Sequence, residues 1–220
     1  MLGGEGMTDT LRIDFLSRLA ATPFIATLRG VQHAEVVEIA EALVETGISL
    51  IEITVDSSEP YFTMEKLALR MSDQVMVCAG NVLTEEQATD AANAGGRVIF
   101  SPVFNRDVIE ASKKKKALSV PGIFTATEAV AAVEAGADAL RIFPADNFST
   151  QALREFRTVL PEDMIYIPTG GITAHKVKSY MAAGAAGFGL GTSIYSPGVT
   201  PEEVQERAKV FTQILVRPDA

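Results

Sequence analysis

The sequence is poor in the groups that staple a fold or ligate a metal. Its 220 residues hold one cysteine, Cys78, and two histidines, His33 and His175. A single thiol forms no intramolecular disulfide, which suits a reducing cytoplasm. No His/Cys/Asp cluster has metal-site spacing and no Ser, His and Asp fall in a hydrolase order, so neither a metal nor a cofactor is expected. Each histidine stands alone near the start of a helical pattern and reads as a surface residue. Cations are scarce too, with 19 Lys and Arg against 28 Asp and Glu and a formal charge of −9. No surplus of cations exists to displace phosphate counterions or dock on anionic lipid, which argues against nucleic-acid and membrane partners. No apolar run reaches the roughly 18 residues of a membrane span, and nothing reads as a secretory segment. Residues 1–7, which end on a second methionine, Met7, read as a flexible leader before one domain over 8–220.

What is present is a repeated grammar. The composition, 47% hydrophobic and 21% charged, is that of a globular chain. Short runs rich in Val, Ile and Phe alternate with amphipathic stretches, and they place strands at 24–29, 50–55, 75–79, 98–101, 117–120, 139–143, 165–168 and 187–190. Gly47, Gly95, Gly136 and Gly184 each end a helical stretch just before a strand, where a left-handed residue lets the helix stop. A last helix starts near Pro201. Eight strands separated by helices predict a compact (β/α)8 barrel. The doubly wound alternative lacks its G-x-G-x-x-G fingerprint. The lysine run 113–116 reads as a solvated helix end at the start of the fifth strand, away from the chemistry.

A barrel carries its site at the C-terminal ends of the strands, and alternation decides which side chains look inward. On the second strand Ile48, Leu50, Glu52, Thr54 and Asp56 share the inward parity. On the first, Ile25, Thr27 and Arg29 do. The third offers Val75, Val77, Ala79 and Asn81, the sixth Ala139, Arg141 and Phe143, and the seventh Thr169. The mouth thus collects two arginines and two carboxylates. That set reads either as a mutually neutralising ion network or as a site for an anionic substrate, with Glu52 moving protons and the arginines clamping carboxylate or oxyanion. Gly170-Gly171 after the seventh strand, and Gly191-Thr192-Ser193 after the eighth, have the form of a phosphate cup of backbone N–H groups and hydroxyls.

Residues 23–196 resemble the 2-keto-3-deoxy-6-phosphogluconate and 2-keto-3-deoxy-6-phosphogalactonate aldolases, the latter branch especially. The resemblance is carried by Ile25-Ala26-Thr27-Leu28-Arg29-Gly30, Leu50-Ile51-Glu52-Ile53-Thr54, Cys78-Ala79-Gly80-Asn81-Val82-Leu83-Thr84, Phe100-Ser101-Pro102, Ile142-Phe143-Pro144 and Pro168-Thr169-Gly170-Gly171-Ile172. It implies a trimeric class I aldolase that releases pyruvate and glyceraldehyde 3-phosphate. It further implies a proton-moving role for Glu52, carboxylate binding by Arg29, and phosphate binding by Gly170, Gly171, Gly191 and Thr192. Thr54, Asp56, Asn81, Pro102, Phe143 and Thr169 are the further candidates for substrate binding. The family's Schiff-base lysine falls at Arg141. A guanidinium stays protonated and cannot attack a carbonyl, so position 141 cannot form that Schiff base. Asn81 stands at a usual threonine, and Asp56 at a position often held by Arg or Asn. Lys176 and Lys178, on the seventh interstrand helix, are expected to face out. Three readings follow: a phosphorylated keto-acid lyase, an enolising epimerase, isomerase or decarboxylase without a Schiff base, and a binder with Arg141 and Glu52 locked together.

Overall fold

The computed structural model describes residues 5–216. In chain order the elements are α1 (Glu5–Ala21), β1 (Phe24–Leu28), α2 (Val36–Val44), β2 (Leu50–Thr54), α3 (Pro60–Arg70), β3 (Met76–Gly80), α4 (Glu85–Asn93), β4 (Val98–Phe100), α5 (Arg106–Lys114), β5 (Leu118–Val120), β6 (Gly122–Ile123), α6 (Ala126–Glu134), β7 (Leu140–Ile142), α7 (Thr150–Phe156), β8 (Tyr166–Pro168), α8 (Ala174–Ala182), β9 (Phe188–Leu190) and α9 (Pro201–Val216). A 3-10 turn, Ala145–Asn147, follows β7. Of the expected leader, residues 1–4 lie outside the described residues, and α1 begins at Glu5.

The strands form a curled parallel sheet in two ladders, β5-β4-β3-β2-β1-β9 and β6-β7-β8. The expected fifth strand corresponds to β5, and beyond Pro121, which has no N–H to donate, follows a short β6 that was not expected. Across this break the ladders meet through Asp138 N to Ser119 O and Arg141 N to Pro121 O. At the other margin they meet through the bridge Thr169–Gly189 and the bond from Ala186 N to Tyr166 O. The four repeated glycines all take positive φ, from 91° to 104°.

Two apolar cores follow from the alternation of strand residues. Ile51, Ile53, Val77 and Ala79 face the helices, together with Ile39 and Leu43 of α2 and Leu67 of α3. Ile25, Leu50, Met76, Cys78, Phe100 and Val120 fill the inside of the curl. The inner core also holds Leu11, Phe15 and Leu19 of α1, one helical stripe at four-residue spacing that closes the N-terminal end of the sheet. This plug was not among the elements expected from the sequence. At the same end Lys113 pairs with Asp138 at 2.7 Å, and Lys115 donates to Asn93 at 2.9 Å.

Candidate functional site

The floor of the site is made by β1, β2, β3 and β7. Glu52 is fully buried and Arg141 nearly so. Arg141 Nη1 donates to Glu52 Oε1 at 3.1 Å, and Nη2 pairs with Oε2. Thr27 Oγ1 donates to the same Oε2 at 2.9 Å. Both carboxylate oxygens are therefore occupied. The guanidinium carbon lies 4.3 Å above the Phe100 ring centre, a cation–π contact that supplies part of what burial removes. Arg141 Nε is buried with no protein partner. Glu52 fits because Gly80 carries no side chain: a Cβ there would run into the carboxylate. Cys78, paired in register with Glu52, is a thiol that burial pushes well above its ordinary value; Glu52 adds to the shift and Arg141 opposes it.

Above this floor opens a cavity of about 600 Å³ at the C-terminal ends of the strands, a size usual for small-molecule sites. Its lining brings together Arg29, Asn81, Pro102, Arg141, Phe143, Thr169, Gly170, Gly171, Gly191, Thr192 and Ser193, all expected from the sequence. Glu52 is not in the lining, because Arg141 covers it. The lining also takes in Thr27, Ile172, Thr173 and Tyr195. Thr27 carried a signal in its inward parity, and Thr173 in its place after the glycine pair; Tyr195 carried none. Its hydroxyl donates to Glu35 at 2.7 Å and so ties the loop after β9 to the loop after β1. Burial, then this carboxylate, raise the Tyr195 hydroxyl far above its usual range.

Several expectations of direction are corrected. On β3 it is Met76 and Cys78 that face inward, while Val75, Val77 and Ala79 face the helices. Asn81 still reaches the cavity because it leaves the strand at a left-handed φ of 56°, which breaks the alternation. Ile48 lies before β2 begins and packs in the outer core. Thr54 is buried beneath the next loop, its hydroxyl 3.0 Å from Ser57 Oγ, and does not line the cavity. Asp56 is half exposed outside the lining and sits 3.6 Å from Arg29 as an ion pair. Lys178 is not in the lining, nor is Lys176, whose ammonium reaches the Gly171 carbonyl at 3.0 Å. Among the described residues no lysine lines the cavity, and no group of three His, Cys, Asp or Glu is arranged to hold a metal ion. No helix among them is long and apolar enough to cross a membrane.

A curled parallel sheet with glycine-rich loops and arginines around a cavity at its strand ends defines an α/β protein with a small-molecule-sized site. The chain belongs to the KDPG and KHG aldolase family, whose model matches residues 15–210. It is 38% identical to a probable 2-dehydro-3-deoxy-6-phosphogalactonate aldolase of Rhizobium meliloti, over 84% of this chain and 88% of the relative. It is 33% identical to the 2-dehydro-3-deoxy-6-phosphogalactonate aldolase of Escherichia coli, over 87% and 93%. A solved structure described as native KDPGal superposes with a TM-score of 0.85 at 32% identity, covering 88% of this chain and 94% of that one. Family and relatives together support an aldolase-type lyase in general terms.

Proposed function

We propose that the cavity takes a phosphorylated 2-keto-3-deoxy sugar acid and that the chain cleaves it as a lyase through a non-covalent enolate. The observation that carries this reading is Arg141 at the cavity floor, locked to Glu52, with no lysine in the lining. A guanidinium forms no Schiff base but stabilises an oxyanion well, because its charge is permanent and its donors are fixed in a plane. Arg29 holds the substrate carboxylate at the mouth. The N–H groups of Gly170, Gly171 and Gly191 and the hydroxyls of Thr192 and Ser193 hold the phosphate.

The ketone oxygen draws the Arg141 fork towards itself and uncovers Glu52. Glu52 accepts the proton of the C4 hydroxyl. The C3–C4 bond breaks, its electron pair passes into the enolate, and C4 leaves as the aldehyde of glyceraldehyde 3-phosphate. Glu52 returns the proton to C3 and pyruvate results. The alternative is an enolising epimerase, isomerase or decarboxylase acting on another phosphorylated keto acid, in which an enolate of the substrate itself forms against Arg141. In the same proposal β5 and β6 count as one strand of a closed eight-stranded barrel and the chain as a cytoplasmic homotrimer, whose trimeric state sedimentation would test.

A second reading, a catalytically silent binder of the same ligands, is favoured by the occupation of both Glu52 oxygens. The deciding experiment follows pyruvate release from the gluco and galacto epimers, with Glu52→Gln as control and borohydride as trap. Turnover above the control with no trapped adduct supports the enolate lyase, whereas a borohydride-trapped pyruvate adduct overturns the non-covalent route. Binding without turnover, and without deuterium exchange of pyruvate methyl protons in D₂O, leaves the binder. Arg141→Lys is expected to restore trapping.

A further inference from the structure

Behind the Gly170-Gly171 loop lies a carboxylate. Asp146, in the 3-10 turn after β7, abuts Gly171 so closely that a Cβ added to that glycine would meet its Cβ at 2.5 Å and its Cγ at 2.8 Å. The two loops are zipped together by Ala145 N to Thr169 O at 2.8 Å and Asp146 N to Gly170 O at 2.9 Å. A negative charge held at the back of an anion loop opposes the loop's own N–H field. Lys176, in the first turn of α8, answers it. Its ammonium pairs with Asp146 and donates to Gly171 O at 3.0 Å.

We propose that Lys176 is a positioning residue that sets the cavity's preference for a phosphorylated ligand, by cancelling Asp146 behind the loop that receives the phosphate. The inference rests on the phosphate cup described above. Lys176 does not line the cavity, so it acts through Gly171 and Asp146 rather than by contact. A doubly charged phosphate feels an uncancelled carboxylate most, and an uncharged end of a ligand feels it little.

The test compares 3-phosphoglycerate with glycerate, which differ only in the phosphate, by calorimetry at low salt. Wild type, Lys176→Met, Asp146→Asn and the double variant are measured. Lys176→Met is expected to weaken 3-phosphoglycerate about tenfold and leave glycerate unchanged. Adding Asp146→Asn should restore most of the loss, because with both charges gone nothing remains to cancel. The result is overturned if Lys176→Met binds 3-phosphoglycerate as wild type does, or loses both ligands equally. It is also overturned if the double variant stays as weak as Lys176→Met, since the tie to the Gly171 carbonyl would then be the whole effect. A wild-type chain with no preference for 3-phosphoglycerate overturns the phosphate cup itself, and this inference with it.

Discussion

At the floor of the cavity Glu52 is saturated by Arg141 and Thr27, within an apolar shell of Leu50, Cys78 and Phe100. At the rim, Thr173, Thr192 and Ser193 line the cavity, and the Thr173 side chain makes no cap hydrogen bond. Two helix starts differ in the same way. Thr125 caps α6 in a reciprocal box with Glu128, whereas Thr173 leads into α8 with its side chain uncommitted. Groups satisfied by the protein hold the fold; groups left for a ligand hold the site. In this chain the carboxylate at the heart of the site belongs to the first class.

The sharpest break of this comparison is Glu52→Ala, which strands a buried guanidinium and should cost about 3–5 kcal/mol in urea unfolding. Pairing it with Arg141→Met should recover most of that loss, since an ion pair exchanged for apolar packing is near neutral. Next is Gly80→Ala, whose methyl group collides with the Glu52 carboxylate. It should cost about 1–3 kcal/mol, and a loss under 0.5 kcal/mol would mean the carboxylate is not held there.

Smaller effects separate the helix starts. Thr125→Ala should destabilise by about 1 kcal/mol, and Thr173→Ala by almost nothing. Burial works against the Glu128 carboxylate, but the N–H groups of Phe124 and Thr125 and the Thr125 hydroxyl outweigh it and lower its pKa. The stability it adds is therefore complete above the ordinary carboxylate range and is lost as pH falls through the lowered value. Glu128→Gln should flatten that part of the acid unfolding curve. Smallest of all, Thr192→Val and Ser193→Ala should leave stability within about 0.5 kcal/mol of wild type while weakening phosphate binding.

The strand positions and the glycines that end helices were legible in the sequence because short apolar runs and Gly punctuation are local signals. So was the convergence of Arg29, Arg141 and the glycine loops, which needs only strand ends and parity. Parity failed on β3, where both faces are buried and Val75, Val77 and Ala79 are as apolar as Met76 and Cys78. It placed Asn81 at the cavity for the wrong reason, because a left-handed residue is invisible to alternation. The pairing of Arg141 with Glu52 was one of the readings the sequence left open, and the choice among them was not legible, since it depends on the depth at which two side chains from distant strands meet.

The helical plug of Leu11, Phe15 and Leu19 has a consequence for traffic. With the opposite end shut, the cavity is a cul-de-sac with one door. Whatever sits deepest enters first and leaves last, and a fragment bound at the rim must depart before one at the floor can follow. If cleavage occurs here, product release is ordered: the phosphorylated fragment departs first and the keto acid last, so the keto acid at the floor inhibits competitively against substrate.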